Sequence, residues 1–380
     1  RNLEMALPLY LTLQSDCPLG RLDYDSMSQQ ALMEMVVGQL CASFLAGLKD
    51  ENVHFLNIAE WVGTYHNDDG TIRELAWSTE VEPPEKPHNQ GTICFEWLPD
   101  TITEVWLTDR GFHGVLHCGK LPKLLEQFHV KGNYLRGSIL VDELPPRVSE
   151  AQFSNNDLTG RLKITSKHQR LMLLYVSQNF LEGSFDFTSL PATVEDLRLD
   201  GNRFEGSVDL SALPKKMIFL DIGQNKFQGS ISLEGMPQSL VRLIIGECTF
   251  SGRFAIEDLP DGLEYVDGDN NQLIGSLPLT KLPPRSIHFR CTDNELSGTL
   301  DLYPLPASLQ KIVLFGNKFH GSLDLTQLPP RLETLSLGYN RFSGCIDLCS
   351  LPEGIKQLFI EDCDLSGPLD FNNVPASLEE

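Results

Sequence analysis

Residues 328–350 read LPPRLETLSLGYNRFSGCIDLCS, and the order of residue types across those 23 positions recurs through most of the chain. With its first proline, Pro329, taken as a mark, the same mark falls at Pro99, Pro122, Pro145, Pro191, Pro214, Pro237, Pro260, Pro283, Pro306, Pro352 and Pro375, on one ruler broken only by His168. No insertion or deletion interrupts the series. A fixed period of this length means stacked units, none of which can bury its apolar face alone.

Apolar residues stand three, six and eight places after the mark, as at Leu332, Leu335 and Leu337. The last two alternate with outward residues, the pattern of a half-buried strand. Eleven places after the mark comes Asn, from Asn133 and Asn156 to Asn317 and Asn340, with Cys248 and Cys363 as exceptions and Arg110 in the first unit. Asn is expected both to turn the chain and to donate from coil to coil to bare carbonyls. A Gly follows at fifteen, from Gly114 to Gly367, where a left-handed backbone is expected. Beyond it, Leu323 with Leu325 and Ile346 with Leu348 predict a second strand on the opposite wall, ended by the Leu-Pro pair.

These residues resemble the leucine-rich repeat family, and the F/L-x-G followed by an apolar pair is most similar to its plant-type class. The resemblance covers about 97–380. It implies an α/β solenoid: a curved stack with a parallel sheet on its concave face, short second strands opposite and an N-terminal helical cap. It also implies protein or peptide recognition. The expected division is a cap over 1–96 and a repeat array over 97–380.

An array needs its open end covered. Residues 26–49 predict a helix for that purpose, with Ser26 and Gln29 as a capping box and a wide apolar stripe from Leu32 to Leu48. QALMEMVVGQL at 30–40, Trp61, Gly63 and GTIRELAW at 70–77 resemble the family's N-terminal cap. That cap carries two cysteines around its W-x-G core, and here Ala59 and His66 stand in their places. Their loss favours an intracellular, reducing compartment. Residues 81–91 read as a loop into the array, and 1–24 give no structural signal.

Composition narrows the function. Lys and Arg total 30 against 52 Asp and Glu, a net charge of -22 that disfavours nucleic acid and anionic lipid. No run approaches the roughly 18 apolar residues that cross a bilayer; the most apolar candidate, 30–48, is broken by Glu34, Gln39 and Ser43. The chain opens at Arg1 and stops inside a repeat at Glu380, leaving room for a signal peptide or membrane span beyond either end. Nine cysteines without CxxC pairs read mainly as buried thiols, and no Asn-x-Ser/Thr acceptor occurs. The nine His form no metal-like spacing and no phosphate loop follows a strand, so no catalysis, cofactor or metal is expected.

A non-catalytic protein-binding scaffold or adaptor is therefore the expectation, with the ectodomain of a membrane receptor as the alternative. On the concave face the outward positions fall five, seven, nine and ten after the mark. Read at seven, the row includes Trp106, Tyr175, Arg198, Asp221, Asp267, Arg290 and Phe359. Aromatics and arginines are common interface anchors. The predicted patch combines Asp196, Arg198, Asp200, Phe219, Asp221, Arg242, Tyr265, Asp267, Asp269, His288 and Arg290, with Trp106 and Tyr175 toward the N-terminus. Phe315, Tyr339 and Phe359 form a second apolar group. The competing expectation is plain neutralisation, Arg198 by Asp221 and Arg290 by Asp267, at about 0.2–1 kcal/mol per pair. A basic island at Arg161, Lys163, Lys167, His168 and Arg170 reads as a solvated edge.

Overall fold

Each 23-residue unit makes one coil, because its alternating apolar residues can be buried only against the coils before and after it. A computed structural model of the chain describes residues 24–78, 85–368, 370 and 374–379. Residues 81–84 of the expected loop, and nearly all of 1–24, lie outside the described residues.

Among the described residues a 14-stranded sheet runs the length of the stack. It begins with an antiparallel hairpin, Thr64–His66 with Ile72–Ala76, and from there to Gln357–Phe359 every pairing is parallel. Register is one to one: Leu197 lies opposite Leu220, which lies opposite Leu243. Constant period and constant register keep the inward leucines in the core, so Leu332, Leu335 and Leu337 are all fully buried. Each contributes on the order of 2 kcal/mol. Beneath the opposite wall, Phe204, Phe227 and Phe250 stack at 6.1 and 6.3 Å between centroids, one ring per coil.

The Asn row joins the coils. Asn225 donates to Leu199 O of the preceding coil and to Ile222 O and Gly223 O of its own, while its Oδ1 accepts from Phe204 N–H. Where Cys248 replaces Asn, its thiol donates only to Ile222 O, at 3.6 Å. Turning the chain falls to a different residue than expected. The position before the Asn takes positive φ, as in Gln178 (53°), Gln224 (51°) and Tyr339 (52°), so the Asn itself is spared for hydrogen bonding.

The second strands exist but lie earlier than the alternation suggested. Lys318–Gly321 and Arg341–Gly344 belong to a 10-stranded parallel sheet whose strands end at or near the glycine rather than starting after it. Beyond Gly321, with φ at 90°, Leu323 and Leu325 are buried, but the Asp324 carboxylate between them accepts from Thr326 N–H and Oγ1. That turn draws the segment out of the sheet.

The cap departs from a single helix over 26–49. An α-helix covers only Gln29–Val37; Gln39–Leu40 pairs as a strand with Gly91–Thr92, and Ala42–Leu45 forms one further turn. Ser28, not Ser26, caps it by accepting from Ala31 N–H at 3.2 Å. Gln29 works across the cap: its amide donates to Thr101 Oγ1 and its Oε1 accepts from Ile72 N–H, so it ties the helix to the sheet. Ala59 and His66 leave no cross-link at the W-x-G core. Trp61 is buried there and donates to Leu56 O, and Trp77 donates to Val62 O.

Candidate functional site

The outward residues of the long sheet meet in the middle coils as an alternating row of rings and guanidiniums. Tyr175 projects from Leu173–Tyr175, Arg198 from Asp196–Arg198, Phe219 from Phe219–Asp221, Arg242 from Arg242–Ile244 and Tyr265 from Tyr265–Asp267. The Arg198 guanidinium lies 4.3 Å from the Tyr175 ring centroid and 4.4 Å from that of Phe219. Arg242 repeats the arrangement between Phe219 at 5.0 Å and Tyr265 at 4.8 Å. His288 closes the row edge-on to Tyr265. The row crosses from the seventh to the fifth position, so reading the seventh alone does not reveal it.

The expected pairing of Arg198 with Asp221 does not form. Arg198 bonds Asp196 on its own strand through Nε and Nη2, at 3.1 and 2.9 Å, and Tyr175 Oη donates to the same carboxylate at 2.7 Å. Held between two rings, the guanidinium reaches back along its strand rather than across to the next. Arg290 bonds mainly Asp269, which also accepts from Thr292 N–H; Asp267 is 3.9 Å away. Arg242 is different. Among the described residues no carboxylate lies within ion-pair distance of it.

Beside the row lies a hollow of about 300 Å³ with Gly223, Gly246 and Ile244 at its base and Asp200, Asp221, Asp267, Asp269 and Arg290 around it. Two successive glycines at the ninth position, where neighbouring coils carry Asp200 and Asp269, open this space. Burial pushes the Asp221 carboxyl up to about 7, helped by the negative charge of Asp200. Burial, then Asp269, also raises Asp267. His288 is held below the ordinary imidazole range by burial, with Lys311 and Arg242 adding to the effect. In these coils Arg242 and Lys311 thus stand at the fifth position, beside the Asp221 and Asp267 carboxylates at the seventh and Asp200 and Asp269 at the ninth.

No family model matches the chain, and no curated protein matches it. Solved structures do. The plant peptide hormone receptor RGFR1 in complex with RGF2 is 26% identical over 72% of this chain and 46% of that one, with a TM-score of 0.64. The chain has the fold of a leucine-rich repeat solenoid. The Arabidopsis receptor kinase HAESA ectodomain in complex with an IDA peptide hormone ligand is 20% identical, covering 78% of this chain and 58% of its own, at a TM-score of 0.53. A plant ice-binding protein is 15% identical over 91% and 96% of the two chains, at 0.57. The last two likenesses concern the fold alone, and this chain spans about half the length of the two receptors.

Elsewhere on the repeat array the predicted residues are more dispersed. Trp106 stacks on His129 at 3.9 Å, and the His129 ring nitrogens are in hydrogen-bond contact with Gln152 and Glu150, well N-terminal of the central row. Phe315 and Tyr339 meet at 4.6 Å, whereas Phe359 makes no ring contact with either among the described residues. Phe219 and Asp269, predicted as contact residues, are only 9% and 5% exposed, so they support the surface more than they present it. The basic island divides. The Arg161 side chain packs over Gly183, among Glu182, Arg203 and Glu205, while His168 is buried in the place of the missing proline. Among the described residues no group of three or more His, Cys, Asp or Glu is placed to hold a metal ion, and no helix is long and apolar enough to cross a membrane.

Proposed function

We propose that this leucine-rich repeat solenoid is a non-catalytic recognition module whose long sheet grips an extended segment of a protein partner across the middle coils. The observation that carries the reading is Arg242, fixed between two rings and left without a carboxylate of its own beside an acidic hollow. A guanidinium held this way loses little freedom on meeting an anionic group. The hollow, on the same strand, offers the opposite charge. A segment carrying an acidic and a basic side chain in close succession fits both. The 26% likeness to a peptide hormone receptor supports a peptide-binding role, and Ile244 between Asp221 and Asp267 argues against a catalytic carboxylate pair.

Selection from a random peptide display library on the immobilised protein tests the reading. A mixed-charge consensus is expected, whose affinity falls tenfold or more in Arg242→Ala and Tyr175→Ala at unchanged circular dichroism. A consensus indifferent to both substitutions overturns it.

The same 26% likeness supports a second reading, the ectodomain of a membrane receptor. The cap without cysteines at 59 and 66 supports the reducing-compartment alternative. Alkylation of the native protein separates them: all nine cysteines reactive after denaturation without reductant supports an intracellular scaffold, and protected pairs support the receptor.

A further inference from the structure

Past the exit of the strands Lys311–Val313 and Thr334–Ser336, the ninth and tenth positions of two adjacent coils form a small square. Phe315 and Tyr339 occupy one diagonal, Gly316 and Gly338 the other. The rings are tilted by 42° rather than stacked, which makes a corner and leaves both faces partly open. Carboxylates from the outer coils fill the space that the glycines give up. Asp293 lies where a Gly316 side chain would be, and the Glu361 carboxylate stands 2.8–3.0 Å from the position a Gly338 Cβ would take. Rings and carboxylates thus alternate around the corner.

Two features set this corner apart. Tyr339 is 52% exposed and holds φ at 52°, a left-handed conformation that costs a bulky L residue of order 1 kcal/mol and that the other coils mostly give to Gly, Asn, Gln, Asp or Glu. In the middle coils, moreover, the rings of the same face are filled by the chain's own guanidiniums, Arg198 and Arg242. Among the described residues no Lys or Arg lies over Phe315 or Tyr339, and none pairs with Asp293 or Glu361.

The geometry points to a docking corner for a cationic side chain, an arginine or lysine of a protein partner, seated against Phe315 and Tyr339 with Asp293 and Glu361 supplying the counter-charge. The occupant follows from charge complementarity and from the rings' behaviour elsewhere in the molecule: where a cation is within reach, they take it. It is a second contact in the proposed recognition role and rests on that reading only for the source of the cation.

The test uses the whole chain with ring-labelled Phe and Tyr, titrated by NMR with acetyl-Gly-Arg-Gly-amide at physiological salt. The Phe315 and Tyr339 signals, assigned from Phe315→Leu and Tyr339→Gly, are expected to shift saturably. The same peptide with neutral citrulline in place of arginine is expected to leave them still. Tyr339→Gly suits the backbone there, so the fold should survive while affinity falls about fivefold or more. Equal shifts with citrulline, no saturable shift with arginine, or undiminished binding by Tyr339→Gly overturns the inference. Arg242→Ala is expected to leave this titration unchanged, so failure of the central site and failure of the corner are read separately.

Discussion

The middle and the C-terminal coils carry similar aromatic residues on the same face and use them differently. In the middle, Phe219 is buried between two guanidiniums and Tyr175 is tied by its hydroxyl to Asp196, so the rings are braced by their own chain. Near the end, Phe315 and Tyr339 lie against each other with no cation between them, and the Tyr339 hydroxyl is hydrogen-bonded to Asp362. An identical backbone register thus yields a row of rings filled by guanidiniums in one place and an open corner of rings and carboxylates in the other. What differs is whether the next coil brings a cation or a glycine to the ring.

Four measurements bear on that contrast. The largest effect is expected from Phe219→Ala, which removes a buried ring from between two cations and should cost about 3 kcal/mol in urea unfolding. Phe315→Ala should cost less, about 1 kcal/mol, because its ring is only partly buried. Equal losses would break the distinction between braced and open rings.

Next is Asp221→Asn. The carboxyl titrates near 7 in the fold and near 4 when unfolded, so its protonated form favours the native state. That stability is complete below about pH 4 and is lost as pH rises toward 7 and beyond. The substitution should therefore stabilise by on the order of 2 kcal/mol at pH 8 and by little at pH 4. A gain independent of pH would mean that the hollow does not hold Asp221 out of water.

Arg242→Ala should cost only about 0.5–1 kcal/mol, the worth of a partly exposed cation–π sandwich. A much larger loss would make the row a structural device first. Smallest of all, Tyr339→Gly should change stability by less than about 0.5 kcal/mol, since relief at positive φ offsets the lost ring contact. A destabilisation above about 1.5 kcal/mol would make Tyr339 part of the core architecture rather than a tolerated outlier.

The repeat, its strand, the Asn row and the core leucines were legible because each depends on residue type at a fixed spacing, and stacking multiplies the same local choice along the array. The second strand was misplaced because Leu323 and Leu325 alternate whether or not their backbone pairs, and the Asp324 turn decides that. The cap helix was overdrawn for a similar reason: an apolar stripe continues past Gly38, but tertiary pairing takes Gln39–Leu40 into a strand.

For the candidate site, spacing placed the residues on one face of the long sheet, while their side-chain partners came from three dimensions. The row at the fifth position, Asp196, Phe219, Arg242, Tyr265, His288 and Lys311, held a readable hint of alternation. That Arg198 turns to Asp196 instead of Asp221, and that Asp293 and Glu361 lean over glycines beside Phe315 and Tyr339, required the structure. Spacing fixes which coil and which wall a residue occupies, because the backbone period is constant. It does not fix where a long charged side chain goes, because several partners lie within its reach and burial and ring contacts choose among them.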